Sequence, residues 1–169
     1  MQRTFAEYLD RYPDEAAELS PRVLRLRSLA AGELGAHLWC HAILRDAEGR
    51  VFERKAADSW LWSIPGMAAD PSCDRLSATA DRALACETGL PLEEIRRLPR
   101  PSADAVEVVL HRGGLRLYFV VDAHEEMPPF PAEVARTARW APTDFLWNQR
   151  LAGKLAALRA ESMSNLAGS

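Results

Sequence analysis

Glu87 is the side chain of this sequence whose setting best suits proton transfer. It lies in Arg82-Ala83-Leu84-Ala85-Cys86-Glu87-Thr88-Gly89-Leu90, a helical pattern with a glycine stop. At about 100° per residue, positions 83, 86, 87 and 90 share one helix face. That face offers a methyl group, a thiol and one carboxyl. If Ala83 and Cys86 make this site drier, burial favours a role for the carboxyl as proton donor or acceptor. Arg82 has two readings, an ion pair that keeps Glu87 charged or a structural bridge that orients the helix. Cys86 would need a base or a positive charge beside it to become a nucleophile, and a charged Glu87 does the opposite. It reads mainly as a small hydrophobe. Asp81 points to a different helix face, and Asp70 and Asp74 precede the helix in a polar loop.

His37 and His41 are the second candidate pair. Residues 36–45 alternate, so His37, Trp39, His41 and Ile43 share one strand face. The two imidazoles are then about 13 Å apart along an ideal strand, too far to bind one metal ion. One of them can contact substrate or move a proton near neutral pH; the alternative is a pair of polar residues on a half-exposed face. Trp60 can stack on a planar ligand if it lies in the loop before Trp62, which itself reads as core. Glu133 is either a further acidic site residue or the partner of Arg136 or Arg139.

These residues need a frame. Asp46-Ala47-Glu48-Gly49 reads as a hairpin turn, and 51–55, with Arg54, as the returning strand. A strand ends at Trp62-Ser63-Ile64, Pro65-Gly66 opens a loop, and a helix runs from about Ser77 to a stop at Gly89. Strands are expected at 105–110 and 115–121, a loop at 122–131, and a closing helix at 148–162 with Leu151, Leu155 and Leu158 on its buried stripe. Residues 4–32 read as helical segments that start at Thr4, Asp14 and Ser20. They form a packing arm or a dimer contact, with a lid over the substrate as the alternative.

The stretch from Trp62 to Leu90 resembles the Nudix box, G-x5-E-x7-R-E-U-x-E-E-x-G-U with U aliphatic. Arg82, Leu84, Glu87, Gly89 and Leu90 match its second half, and Trp62, Pro65 and Gly66 match its usual approach. Asp74 stands eight residues before Arg82, where the first glutamate belongs. Ala83 and Cys86 replace two box glutamates, so the box is degenerate. The resemblance implies an α/β (α+β) fold, a mixed sheet sandwiched between helices, over residues 36–162. Residues 1–35 are then an N-terminal helical arm and 163–169 a frayed tail. It also implies that the first strands line a substrate pocket, with His37, Trp39, Arg54, Trp60 and Glu133 as contacts and Glu87 and His41 as catalytic groups. Nudix hydrolases hold magnesium or manganese on the carboxylate face of this helix. Hard cations need several oxygen ligands, and one carboxylate of three remains. No metal is therefore expected; if one binds, Gly66 and Glu87 are its ligands.

Composition bounds the rest. The chain has 169 residues, 48% of them hydrophobic, and a net charge of −3, which suits one globular domain and gives no case for nucleic acid. No apolar run approaches the roughly 20 residues that span a bilayer. Three cysteines without metal-type spacing and no signal-peptide core point to a cytoplasmic protein with reduced thiols. The expected partner is a small molecule, with a homodimer left open. Three functions stay in play. The first is a Nudix-fold enzyme repurposed for metal-independent acid–base chemistry on a small metabolite, in a specialised biosynthetic pathway. The second is a weakened metal-dependent hydrolase of a nucleoside-diphosphate-linked compound. The third is a non-catalytic ligand-binding domain.

Overall fold

The computed structural model describes residues 37–167 apart from 57, 71, 104, 112–113, 124, 126 and 144–148. The expected N-terminal arm, His124 and the Asp144-Phe145-Leu146 run lie outside the described residues, as does the side chain of His37.

Strand β1 (His37–Arg45) is the axis of a seven-stranded mixed sheet. The remaining strands are β2 (Val51–Lys55), β3 (Trp62–Ser63), β4 (Gly66–Ala68), β5 (Glu107–His111), β6 (Gly114–Asp122) and β7 (Ala138–Ala141). The order is β3-β2-β1-β6-β5, with β4 also on β1 and β7 also on β2. β1 and β6 run parallel from His37↔Gly114 to Arg45↔Asp122, and the other pairs are antiparallel. Four helices complete the described chain: α1 (Leu76–Thr88), α2 (Leu92–Arg97), α3 (Ala132–Ala135) and α4 (Gln149–Ala167).

Strand alternation divides the interior into two cores. Leu38, Cys40, Ala42 and Leu44 of β1 point to one face, with Phe52, Leu115, Leu117 and Phe119, and pack against Leu76, Ala80 and Leu84 of α1. Ile43, Val51, Tyr118 and Val120 point to the other and pack against Leu151 and Leu155 of α4. Each fully buried Leu or Ile contributes roughly 1.5–3 kcal/mol of transfer free energy. Two ion pairs add direction to α4. Arg45 grips Asp122 through Nε and Nη2 (2.8 and 3.1 Å) and donates through Nη1 to the Leu155 carbonyl. Lys154 Nζ reaches the buried Glu107 carboxylate at 3.1 Å and the Val106 carbonyl at 2.9 Å.

The hairpin turn closes through Gly49, at φ 80°, and α1 ends at Gly89, at φ 69°, whose N–H donates to the Ala85 carbonyl. Both glycines hold the left-handed conformation that other residues enter at a cost. Three local expectations change. Gly66–Ala68, expected as the start of a loop, is strand β4, because the Pro65 carbonyl and the Ala69 N–H still bond to β1 at Ala42 and Leu38. Trp62 is half-buried, not core, since β3 is a two-residue edge strand. α4 continues to Ala167, five residues beyond the end expected for the closing helix.

Candidate functional site: a cavity on the α4 face of the sheet

His41 occupies the middle of a cross-strand row. Its neighbours are Gly66 on β4 and Tyr118 on β6, and Tyr118 in turn pairs with Glu107 on β5. The imidazole stacks on the Tyr118 ring at 4.8 Å, with 17° between the planes. A Cβ on residue 66 would lie 2.1 Å from His41 Nδ1, so only glycine lets the ring sit there. Neither ring nitrogen makes a well-formed hydrogen bond. Burial, followed by the Arg116 charge, lowers the His41 pKa to about 4, and the nearby backbone of Ile64 and Pro65 opposes this only in part. His41 is therefore a neutral imidazole at pH 7, able to accept a proton at one nitrogen. Burial pushes the Tyr118 phenol up to about 12, against the pull of Arg116.

The row forms one wall of a cavity of about 580 Å³, which lies on the same sheet face as α4. β2 contributes Glu53, β6 Arg116 and β7 Arg139; the segment 60–64 supplies Trp60, Leu61, Trp62, Ser63 and Ile64. Arg139 binds the Glu53 carboxylate through Nε and Nη2 (2.8 and 2.7 Å) and lies 4.4 Å from the centre of the Trp62 ring. Among the described residues no carboxylate pairs with Arg116. Trp60 is 91% exposed, with Lys55 Nζ 5.5 Å from its ring.

Glu87 lies elsewhere. Arg54 is two residues from Phe52 and so faces α1. Its Nη1 donates to the Glu87 carbonyl at 2.6 Å and stands 3.5 Å from Oε2, while Nε donates to Thr137 Oγ1 at 3.2 Å. The structure thus joins Arg54 to Glu87 and separates both from His41 by the thickness of the sheet. Trp39 shares the face of His41 and is 36% exposed, but does not line the cavity. Glu133 is exposed in α3, and its carbonyl accepts from Thr137 Oγ1. Arg139, one partner considered for it, is held by Glu53 instead. Of the expected contacts, the cavity gathers His41 and Trp60. Sequence reasoning leaves out Glu53, Arg116 and Tyr118. The spacing Arg116-x-Tyr118 marks a common strand face, but only the β1–β6 pairing reveals that this face meets His41.

The helix face expected to carry metal ligands does not suit a hard cation. Ala83 is 2% exposed and has no donor, Cys86 is exposed, and Glu87 is engaged by Arg54. Asp70 is committed to the backbone and hydroxyl of Ser72 and to Arg82, contacts that hold its carboxyl below the usual range. This gives Arg82 a structural role, fastening the loop before α1. Asp81 is raised by burial and paired with Arg100 at 2.6 Å. Among the described residues there is no group of three or more His, Cys, Asp or Glu able to hold a metal ion. Likewise, no described helix is long and apolar enough to cross a membrane.

No family model and no curated protein matches the sequence. Solved structures do match the fold. A Nudix hydrolase from M. smegmatis is similar at 23% identity over 76% of this chain and 87% of its own, with a TM-score of 0.50. The C. elegans Ap4A hydrolase is similar at 12% identity over 76% and 98%, TM-score 0.56. A mutT/nudix family protein from Listeria innocua follows at 16% identity over 78% and 97%, TM-score 0.52. With its mixed sheet between α1 and α4 and the motif from Trp62 to Leu90 on β3, β4 and α1, the chain has the Nudix fold.

Proposed function

We propose that this protein is an enzyme of small-molecule metabolism that uses metal-independent acid–base chemistry, with His41 as the proton-transfer group. The observation that carries this reading is a buried imidazole, without a well-formed hydrogen bond, in the wall of a cavity that Arg116, Tyr118 and the Glu53–Arg139 pair also line. A base of this kind must be unprotonated at the working pH, and burial keeps the His41 imidazole so; its ring lines the cavity, with both nitrogens buried. Arg116 sits beside it as a fixed positive charge where negative charge would develop. Glu87 serves through Arg54, tying β2 to the end of α1.

The rival reading is a metal-dependent hydrolase. It draws support from the Ap4A hydrolase and the other neighbours named as hydrolases, and from the survival of Glu87 in the box. Calorimetric titration with magnesium and manganese decides between them. The expected outcome is no binding up to millimolar cation in the wild type. Micromolar binding that disappears in Glu87→Gln would overturn the metal-free reading in favour of the hydrolase.

A further inference from the structure

The charges around the cavity do not balance. Among the described residues its lining carries two guanidinium groups, Arg116 and Arg139, and one carboxylate, Glu53. Glu53 is 4% exposed and makes two short contacts to Arg139, so these two neutralise each other. Trp62 is taken as well, because Arg139 rests on its ring. One positive charge is left over on Arg116, and Lys55, at the rim beside Trp60, has the same sign.

The apolar lining is equally incomplete. Trp60 and Leu61 are 91% and 75% exposed, yet both belong to the cavity wall. An indole with an open face at the mouth of a pocket is suited to stack on a flat ring. The volume, about 580 Å³, lies within the range of small-molecule sites.

We infer that the cavity binds a planar aromatic acid, its carboxylate or phosphate monoester against Arg116 and its ring against Trp60. This deepens the proposed function and rests on the cavity being the ligand site. Arg139, held by Glu53, lies against Trp62 and forms the wall on that side. With Glu53 and Arg139 neutralising each other, Arg116 is the charge left to bind an acid, so the pocket favours acids that carry their charge at one end. A guanidinium bonds either acid in bidentate fashion, so the chemistry shared by the two groups is what the site recognises.

The test uses the full chain and small probes, with tryptophan fluorescence and calorimetry as readouts. Benzoate and phenyl phosphate represent the two acids. Benzamide and benzylamine keep the ring but remove or reverse the charge, and cyclohexanecarboxylate keeps the charge but loses the flat ring. The expected result is that at least one aromatic acid binds and that benzamide, benzylamine and cyclohexanecarboxylate each bind at least about tenfold more weakly. The tighter of benzoate and phenyl phosphate identifies the acid. Arg116→Gln should lose about tenfold affinity for the acids, about 1.4 kcal/mol, and Trp60→Ala should weaken every planar probe while the preference for acids remains. Circular dichroism confirms that each variant is folded. Equal binding of benzylamine, benzamide or cyclohexanecarboxylate, full affinity in folded Arg116→Gln, or no binding of either acid overturns the inference. Micromolar magnesium binding that depends on Glu87 would instead defeat the metal-free reading, and it leaves the preference for aromatic acids intact.

Discussion

At the scale of single residues, His41 links stability to acidity. The folded protein holds the imidazole neutral, with a pKa lowered from the ordinary 6.5 to about 4. Between these values the unfolded chain binds the extra proton and the folded one does not. The contribution of His41 is therefore fully present above about pH 6.5 and is lost as pH falls towards 4, by up to about 3 kcal/mol. The charges around the ring are those of Arg116, Glu53 and Arg139, with the Tyr118 phenol stacked beside it. Urea denaturation of wild type and His41→Gln at pH 7.5, 6 and 5 checks this. The wild type should weaken more steeply, and parallel curves would show that burial of the ring does not set its charge. Alternation of side chains along 36–45 is enough to place His41 on a face with Trp39 and Ile43. The absence of a hydrogen-bond partner and the closeness of Gly66 are not legible in the sequence, since both depend on how β4 lies on β1.

At the scale of elements, α1 shows where a sequence speaks most clearly. Its end is written in Gly89, because a residue at φ 69° with its N–H on the Ala85 carbonyl is a glycine position by backbone sterics alone. Gly89→Ala is expected to cost about 1–2 kcal/mol. The new methyl would also approach Pro131 Cγ at 2.9 Å, which makes that range a lower one. Thermal unfolding measures the loss, and an unchanged midpoint would mean that the end of α1 can rearrange without penalty. The beginning of the helix is less legible. Arg75 at the cap makes no side-chain bond, and the loop before it is ordered by Asp70, Ser72 and Arg82 instead. β4 is hidden for a related reason. Pro65-Gly66 is a strong turn signal, but here the chain remains extended through it and pairs with β1. The site is only half legible because Arg54 and Glu53 are adjacent in sequence and face opposite sides of the sheet. One joins Glu87 and the other the cavity.

At the scale of the whole molecule, the sheet is a partition, with the box helix on one side and the cavity and α4 on the other. The order of strand and helix patterns gives the elements, and the resemblance to the Nudix box implies the mixed topology with its flanking helices. The division of labour between the faces cannot be read there, because it depends on which strands become neighbours. α4 closes the second face through Lys154 and Arg45. Lys154→Met should destabilise the fold by about 1–2 kcal/mol, because Glu107, 2% exposed, loses its partner on the helix. Lys154→Arg should recover most of that loss, and chemical denaturation of the pair of variants decides the matter. The parallel pairing of β1 with β6 also bears on how the protein is made. Arg45 and Asp122 are 77 residues apart in the chain. The antiparallel partners of β1, namely β2 and β4, follow it closely, whereas β6 arrives late and at the cost of a long loop closure. On a ribosome that adds about 5–20 residues per second, β1 waits several seconds for its central neighbour. During that interval the backbone edge that β6 will cover is open to other chains, and His41 has Gly66 beside it but no Tyr118 to stack on. Changes in β6 therefore bear on folding yield as well as on stability.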